Sequence, residues 1–313
     1  TFGTQFGIGT TLDMEKLAGW DGTIIRALVT ARQGQSTSLE GIQDPVAPQW
    51  ANSQANWGRG NSGSRLSEFY LDKTFKDQGI SVRLGRMGLG TEFNTMACDF
   101  QSNAFCAAQM GKWQGKLWYN TPVSQWGGRV KYQINPELFA QVGVFEYNPE
   151  NALERHGWNL DTKNADGVNI LSEVVWSPKK GLNDLPGRYR VGMLYNTAND
   201  AKNQYDVAYK AGTVGEDRSY GGWISFEQQL TSAGEGRRGL HSFANFTFHD
   251  RTTTQVDHSQ QIGLKYIGAF DGHPNDIIGL GVNRVHVNER FRSTKEILNK
   301  GEEYNIELNY SYY

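Results

Sequence analysis

The stretch EYNIELNY (Glu303–Tyr310) sorts its side chains by parity, with Tyr304, Ile306, Leu308 and Tyr310 on one face and Glu303, Asn305, Glu307 and Asn309 on the other. Successive side chains of an extended strand point to opposite faces, so one face here needs an apolar medium and the other needs water. The same division recurs at Ile224, Phe226 and Leu230 against Trp223, Ser225, Glu227 and Gln229. It recurs again at Ala244, Phe246 and Phe248 against Phe243, Asn245, Thr247 and His249. Alternation alone suits a soluble β-sandwich as well as a barrel that meets lipid outside and water inside.

Loop lengths separate the two. Alternation and breaker residues predict thirteen strands, over 6–17, 23–33, 63–74, 79–89, 126–134, 138–148, 168–177, 187–197, 219–231, 238–250, 256–268, 276–287 and 302–313. Tight connections rich in Gly, Pro, Asn and Asp (19–22, 76–79, 135–137, 179–187, 232–237 and 270–275) alternate with long ones (35–62, 90–125, 148–167, 198–218 and 288–301). One connection, 251–255, is short where the pattern asks for a long one. The predicted fold is all-β, a transmembrane antiparallel β-barrel in the bacterial outer membrane with short periplasmic turns and long extracellular loops. Such barrels have an even number of strands, so one strand before Thr1 and two after Tyr313 are expected, giving sixteen in the complete protein.

Composition agrees. The 313 residues include 37 Gly and 12% aromatics, with no composition break to suggest a second domain. The mean hydropathy of −0.59 is too polar for a helical membrane protein, and no apolar run is long enough for a spanning helix. A formal net charge of −2 argues against a nucleic-acid partner. No secretory leader is evident, so an exported chain would be a processed one or a piece of one. The six histidines show no metal-ligand spacing and GRMGLG (85–90) is no dinucleotide fingerprint, so neither metal nor cofactor is expected.

If the apolar set faces lipid, the opposite set lines the lumen. Parity places Arg26, Thr30, Arg32, Arg83, Arg129, Lys131, Arg188 and Arg190 there, facing Asp13, Glu15, Glu68, Asp72, Glu173, Glu227, Glu303 and Glu307, with Asn245 among them. So many charges call for water, because desolvating an unpaired ion costs several kcal/mol or more. Forked guanidinium donors beside carboxylate acceptors suit vicinal hydroxyls. Trp113, Trp118, Trp126 and Trp223 are candidate platforms for sugar rings, and Arg83 with Glu68 are the candidates for the narrowest point.

The 90–125 connection is rich in aromatics, including Phe93, Phe100, Phe105, Trp113, Trp118 and Tyr119, and carries both cysteines, Cys98 and Cys106. A loop so apolar must pack somewhere, either folded into the barrel mouth as a pore-constricting segment or as an extracellular lid. A Cys98–Cys106 bridge would stiffen it and imply an oxidising compartment; two free thiols is the alternative.

The stretches FNTMACDFQSNAFCAAQMGKW (Phe93–Trp113), LWYNTPVSQWGGRVKY (Leu117–Tyr132) and AQVGVFEYNPEN (Ala140–Asn151) resemble the OprB family of carbohydrate-selective porins. So do LDMEKLAGWDG (Leu12–Gly22), LPGRYRVGMLYNTA (Leu185–Ala198) and FANFTFHD (Phe243–Asp250). The resemblance implies a sixteen-stranded outer-membrane channel for passive diffusion of glucose and similar sugars, without cofactor or energy coupling. Its partners would be the sugar, outer-membrane lipid and lipopolysaccharide, with a homotrimer left open. The family's arginine-rich, acid-flanked constriction is consistent with Arg83, Glu68, Arg26 and Arg129. A differently selective porin, a plugged structural barrel, and a soluble glycan enzyme using a pair among Asp13, Glu15, Glu68 and Glu173 are the rival readings.

Overall fold

The computed structural model describes residues 3–34, 63–106, 108–114, 117–198, 218–292 and 301–313. The expected loops 35–62 and 288–301, and the one at 198–218, fall wholly or largely outside them. Thirteen strands form one antiparallel sheet in which each pairs with the next in sequence. They are β1 (Gly3–Asp13), β2 (Thr23–Gly34), β3 (Gly63–Phe75), β4 (Ile80–Met87), β5 (Gln125–Asn135), β6 (Leu138–Tyr147) and β7 (Gly167–Trp176). The sheet continues with β8 (Gly187–Asn196), β9 (Tyr220–Gln229), β10 (Gly239–His249), β11 (Val256–Ile267), β12 (Ile277–Val287) and β13 (Glu302–Ser311). Short helices α1 (Met14–Ala18), α2 (Gln109–Trp113) and α3 (Glu289–Arg292) lie between strands.

All thirteen expected strands are present, and the first differs at its end. DMEKLAG closes β1 early because Asp13 accepts the Lys16 N–H at 3.2 Å as an N-cap, and Gly19 (φ 71°) ends α1 in the left-handed region. Glu15 accepts the Gly22 N–H at 3.2 Å. Asp13 and Glu15 therefore serve this turn and are not wall residues.

Parity divides the sheet as expected. On β13, Ile306 and Leu308 are each 74% exposed, whereas Asn305, Glu307 and Asn309 are half-buried on the other face. Leu84, Val130, Val142, Val174, Val191, Ile224, Ile262, Leu280 and Val282 continue the exposed apolar band. Exposed aromatics border it at both rims: Phe75, Trp176 and Tyr310 by the short turns, and Tyr195, Tyr220, Phe248 and Tyr304 by the long loops. An apolar belt between two aromatic girdles is the surface of a strand-built membrane protein. No helix among the described residues is long and apolar enough to cross a membrane.

The core is on the opposite, inner face. There the connection between β4 and β5 packs Phe93, Met110, Leu117 and Trp118 against Phe145, Leu171, Leu194 and Trp223. Its Phe100, Phe105 and Trp113 pack against Phe243, Val256 and Val285. Wall glycines make the room: a Cβ on Gly281 would sit 2.7 Å from the Phe105 ring, and one on Gly143 would sit 2.8 Å from Phe93. At the long-loop rim, β3 outruns β4, and the β6–β7 connection covers the exposed edge, with Leu66 N–H donating to Gly157 O at 3.0 Å.

Val282 lies midway along β12 on the belt. Val282→Arg is expected to lower unfolding free energy in lipid vesicles by about 2–4 kcal/mol, the cost of a cation at the bilayer midplane. A denaturant titration checks this.

Candidate functional site

The inner face is where the polar side chains of β2–β13 converge on the β4–β5 connection. The sequence orders its first cluster. Asp72, Arg83 and Arg129 sit opposite one another in register on β3, β4 and β5. Two cations directly opposite repel. Two carboxylates resolve this. Arg83 reaches Asp72 Oδ2 at 2.6 Å and also pairs with Glu92 of the connection. Arg129 donates through Nε to Glu92 Oε2 at 2.9 Å and lies 3.4 Å from Asp72 Oδ2. The Arg129 side chain is 3% exposed and that of Glu92 6%, so the pairs are largely removed from water. The Arg83 guanidinium also lies 4.2 Å from the Tyr70 ring centre.

Beside this cluster Arg26 donates to Glu68 Oε2 at 2.7 Å. Arg83 and Glu68, the candidates for the narrowest point, each have their own ion-pair partners: Asp72 and Glu92 for Arg83, and Arg26 for Glu68. Arg32 donates to Gln5 Oε1 at 2.7 Å near the long-loop rim. Near it on α2, burial and the Arg32 charge bring the Lys112 ammonium down to about 8.

A second cluster surrounds Glu173. Its carboxylate accepts the Asn94 N–H, Trp223 Nε1–H and Gln141 Nε2–H, each at 2.9 Å, and the residue is 3% exposed. Asn94 reaches across to Asn245, whose Nδ2 donates to Asn94 Oδ1 at 2.9 Å. On the far wall Arg190 donates to Glu227 Oε2 at 2.7 Å, Lys265 pairs with Asp99 at 2.7 Å, and Glu307 accepts the Gln101 and Ser102 N–H groups, both at 2.8 Å. The connection is thus tied to β4–β7 at its start and to β10–β13 in its middle. Cys98 and Cys106 are joined as a disulfide within it.

Several expectations need correction. Trp113 and Trp118 are 5% and 1% exposed, and Trp223 is 1% exposed, because these rings form the packing between connection and wall. None offers an open face to a sugar. Trp126 is only partly exposed, its Nε1–H held by Leu160 O at 2.9 Å. Asn245, Glu173 and Arg129 are buried structural partners rather than open wall groups. Water alone does not accommodate the inner charges; ion pairs and hydrogen bonds inside the fold hold many of them.

Among the described residues a cavity of about 200 Å³ lies between residues 91–95 and β4–β8, lined by Arg83, Glu92, Lys131, Phe139 and Arg188, together with Arg129 and Glu173. Arg188 also borders a second cavity of about 300 Å³ with Glu227, Arg237, His241 and Lys265. Lys131 Nζ lies 4.6 Å from the Phe139 ring centre. Arg188 Nε is buried without a hydrogen-bond partner. Glu92, Asn94 and Phe139 did not emerge from the sequence. The first two lie in the connection, beyond the reach of strand parity, and Phe139 reads as one more apolar strand residue.

Comparison with known proteins decides the family. The profile described as "Carbohydrate-selective porin, OprB family" matches residues 3–313. The chain belongs to the OprB family. It is 41% identical to Porin B of Pseudomonas aeruginosa over 95% of this chain and 66% of that protein, so it spans just under two thirds of that relative's length. It is 38% identical to the putative porin QuiX of Acinetobacter baylyi over 98% of this chain and 74% of that one. The solved high-pH structure of Pseudomonas putida OprB matches with a TM-score of 0.91 and 40% identity, covering 98% of this chain and 78% of that one. The fold of this OprB-family chain is accordingly that of an outer-membrane β-barrel.

Within this OprB-family barrel, Glu92 is the hinge of the first cluster. Glu92→Gln leaves two guanidinium groups on Asp72 alone, and the unfolding free energy is expected to fall by about 3–5 kcal/mol, as when one partner of a buried pair is removed. Denaturant unfolding measures it, and faster proteolysis of the 88–124 connection should accompany it.

Proposed function

We propose that the chain forms the wall and constriction of a channel through which carbohydrates such as glucose diffuse passively across the outer membrane. The observation that carries this reading is the cavity between the connection and β4–β8, where forked and ammonium donors, a carboxylate and an aromatic ring converge. Arg188 and Lys131 donate to sugar hydroxyls, Glu92 accepts, and Phe139 meets the ring's C–H face. The 88–124 connection narrows the pore, because its disulfide, ion pairs and apolar packing hold it against the wall. No group in this arrangement performs covalent chemistry, and selectivity arises from which solutes satisfy these donors and acceptors in transit.

The apolar packing of Phe100, Phe105 and Trp113 against β10–β12 also suits a plug. Conductance separates the two readings. In planar bilayers the channel reading expects steady ion current that glucose reduces, whereas a plug passes none. Arg188→Ala and Lys131→Ala are each expected to weaken sugar block about tenfold, the loss of one hydrogen bond to a charged donor. Unchanged block in both variants would remove this cavity as the sugar site.

A further inference from the structure

At the long-loop rim, on the face that carries the lipid belt lower down, two imidazoles and a carboxylate meet. His258 of β11 and His286 of β12 are direct cross-strand partners. Their rings stack with centres 4.3 Å apart and planes 14° from parallel. The register of β11 shifts between Val256 and His258, so Asp257 is a bulge residue outside the ladder. Bulges re-aim side chains. Here Asp257 Oδ1 lies 2.5 Å from His286 Nδ1 and 3.0 Å from His258 Nδ1, and the residue is only 8% exposed.

We propose that Asp257, His258 and His286 bind a divalent transition-metal ion of the zinc class. Two imidazole nitrogens with one carboxylate oxygen form a donor set such ions prefer, whereas calcium and magnesium take oxygen ligands. The three ligand atoms lie within 4.8 Å of one another, close enough for one ion to engage all three after small side-chain shifts. The ion takes the place of the Nδ1–H protons directed at Oδ1, and each neutral imidazole then carries its single proton on Nε2, so both rings ligate as neutral donors and the carboxylate supplies the negative charge. A fourth position remains for water.

The surroundings favour an accessible, supported site. Below His258 and His286 on the same face come Gln260 and Arg284, and only then Ile262, Leu264, Leu280 and Val282 of the exposed belt, so the pair stands outside the apolar band. Arg251 Nε lies 3.5 Å from Asp257 Oδ2, leaving Oδ1 to the imidazoles, and its Nη2 is 3.4 Å from Glu289. Glu302 sits opposite His286 in register and pairs with Arg284. Asn288 donates to Arg251 O and Thr254 O, both at 2.7 Å, fixing the rim beside the bulge. No metal spacing is visible in the sequence because two ligands are adjacent on one strand and the third is on the next. The expectation of no metal site therefore rested on spacing alone.

Calorimetric titration of Zn2+ into the full chain, purified in detergent and stripped with chelator, tests this. One saturable Zn2+ per chain is expected, weakened at least tenfold in His258→Ala, His286→Ala and Asp257→Asn and unchanged in His273→Ala. Circular dichroism confirms that the variants keep their strands, and Co2+ should give a visible absorption band in the wild type that His286→Ala abolishes. Absence of saturable binding, or wild-type affinity in both His258→Ala and His286→Ala, overturns the proposal.

Discussion

Backbone hydrogen bonding is the constraint on which the rest depends. Lipid offers no donors or acceptors, so each strand of a membrane-spanning sheet must satisfy its amide and carbonyl groups on its neighbours. The antiparallel ladder from β1 to β13 meets this requirement with each strand beside the next in sequence. Once the ladder is fixed, period two assigns every side chain to lipid or interior without further choice. Exposed Ile306 and Leu308 alternating with half-buried Asn305 and Glu307 are its direct expression.

The interior poses the opposite problem. A wall carrying Arg83 opposite Arg129 would repel itself, and a lone buried charge would cost more than the ladder could offset. The β4–β5 connection supplies what the wall lacks. Glu92 neutralises both guanidinium groups together with Asp72, the Asn94 N–H supports the Glu173 carboxylate, and Asp99 meets Lys265. Glycines at 143 and 281 leave space for its rings where any larger side chain would collide. Wall and connection are therefore incomplete without each other, which explains why a segment with little regular structure is buried.

Much of this was legible in the sequence because parity and loop length are local signals. All thirteen strands follow from alternation, and Arg83, Glu227 and Glu307 occupy the polar face it assigned. The end of β1 was misread because MEKLA continues a plausible alternation while Asp13 and Gly19 cap a helix turn. The path of the connection was not legible, since its contacts join residues far apart, such as Asn94 with Asn245 and Gln101 with Glu307. The tryptophans misled for the same reason: an aromatic residue reads alike whether it offers its face to a ligand or fills a gap. Glycines on the polar parity of β6 and β12 were the available hint, because an aqueous wall has no need of empty positions.

Charge pairing also locates the chemistry that remains. Arg83, Arg129, Asp72 and Glu92 form two cations against two anions, and their attraction is directed at one another. Among the described residues, Lys131 and Arg188 border the same cavity with no carboxylate within ion-pair distance. The neutralised cluster acts as a rigid floor, and Lys131 and Arg188 outnumber the one other carboxylate lining the cavity, Glu173, which is held by neutral donors. On the proposed channel reading, such a space would favour oxygen-rich solutes that present lone pairs over cations. In that proposal selectivity would come mainly from the donors the fold leaves without an ion-pair partner, while the paired charges hold the cavity's shape.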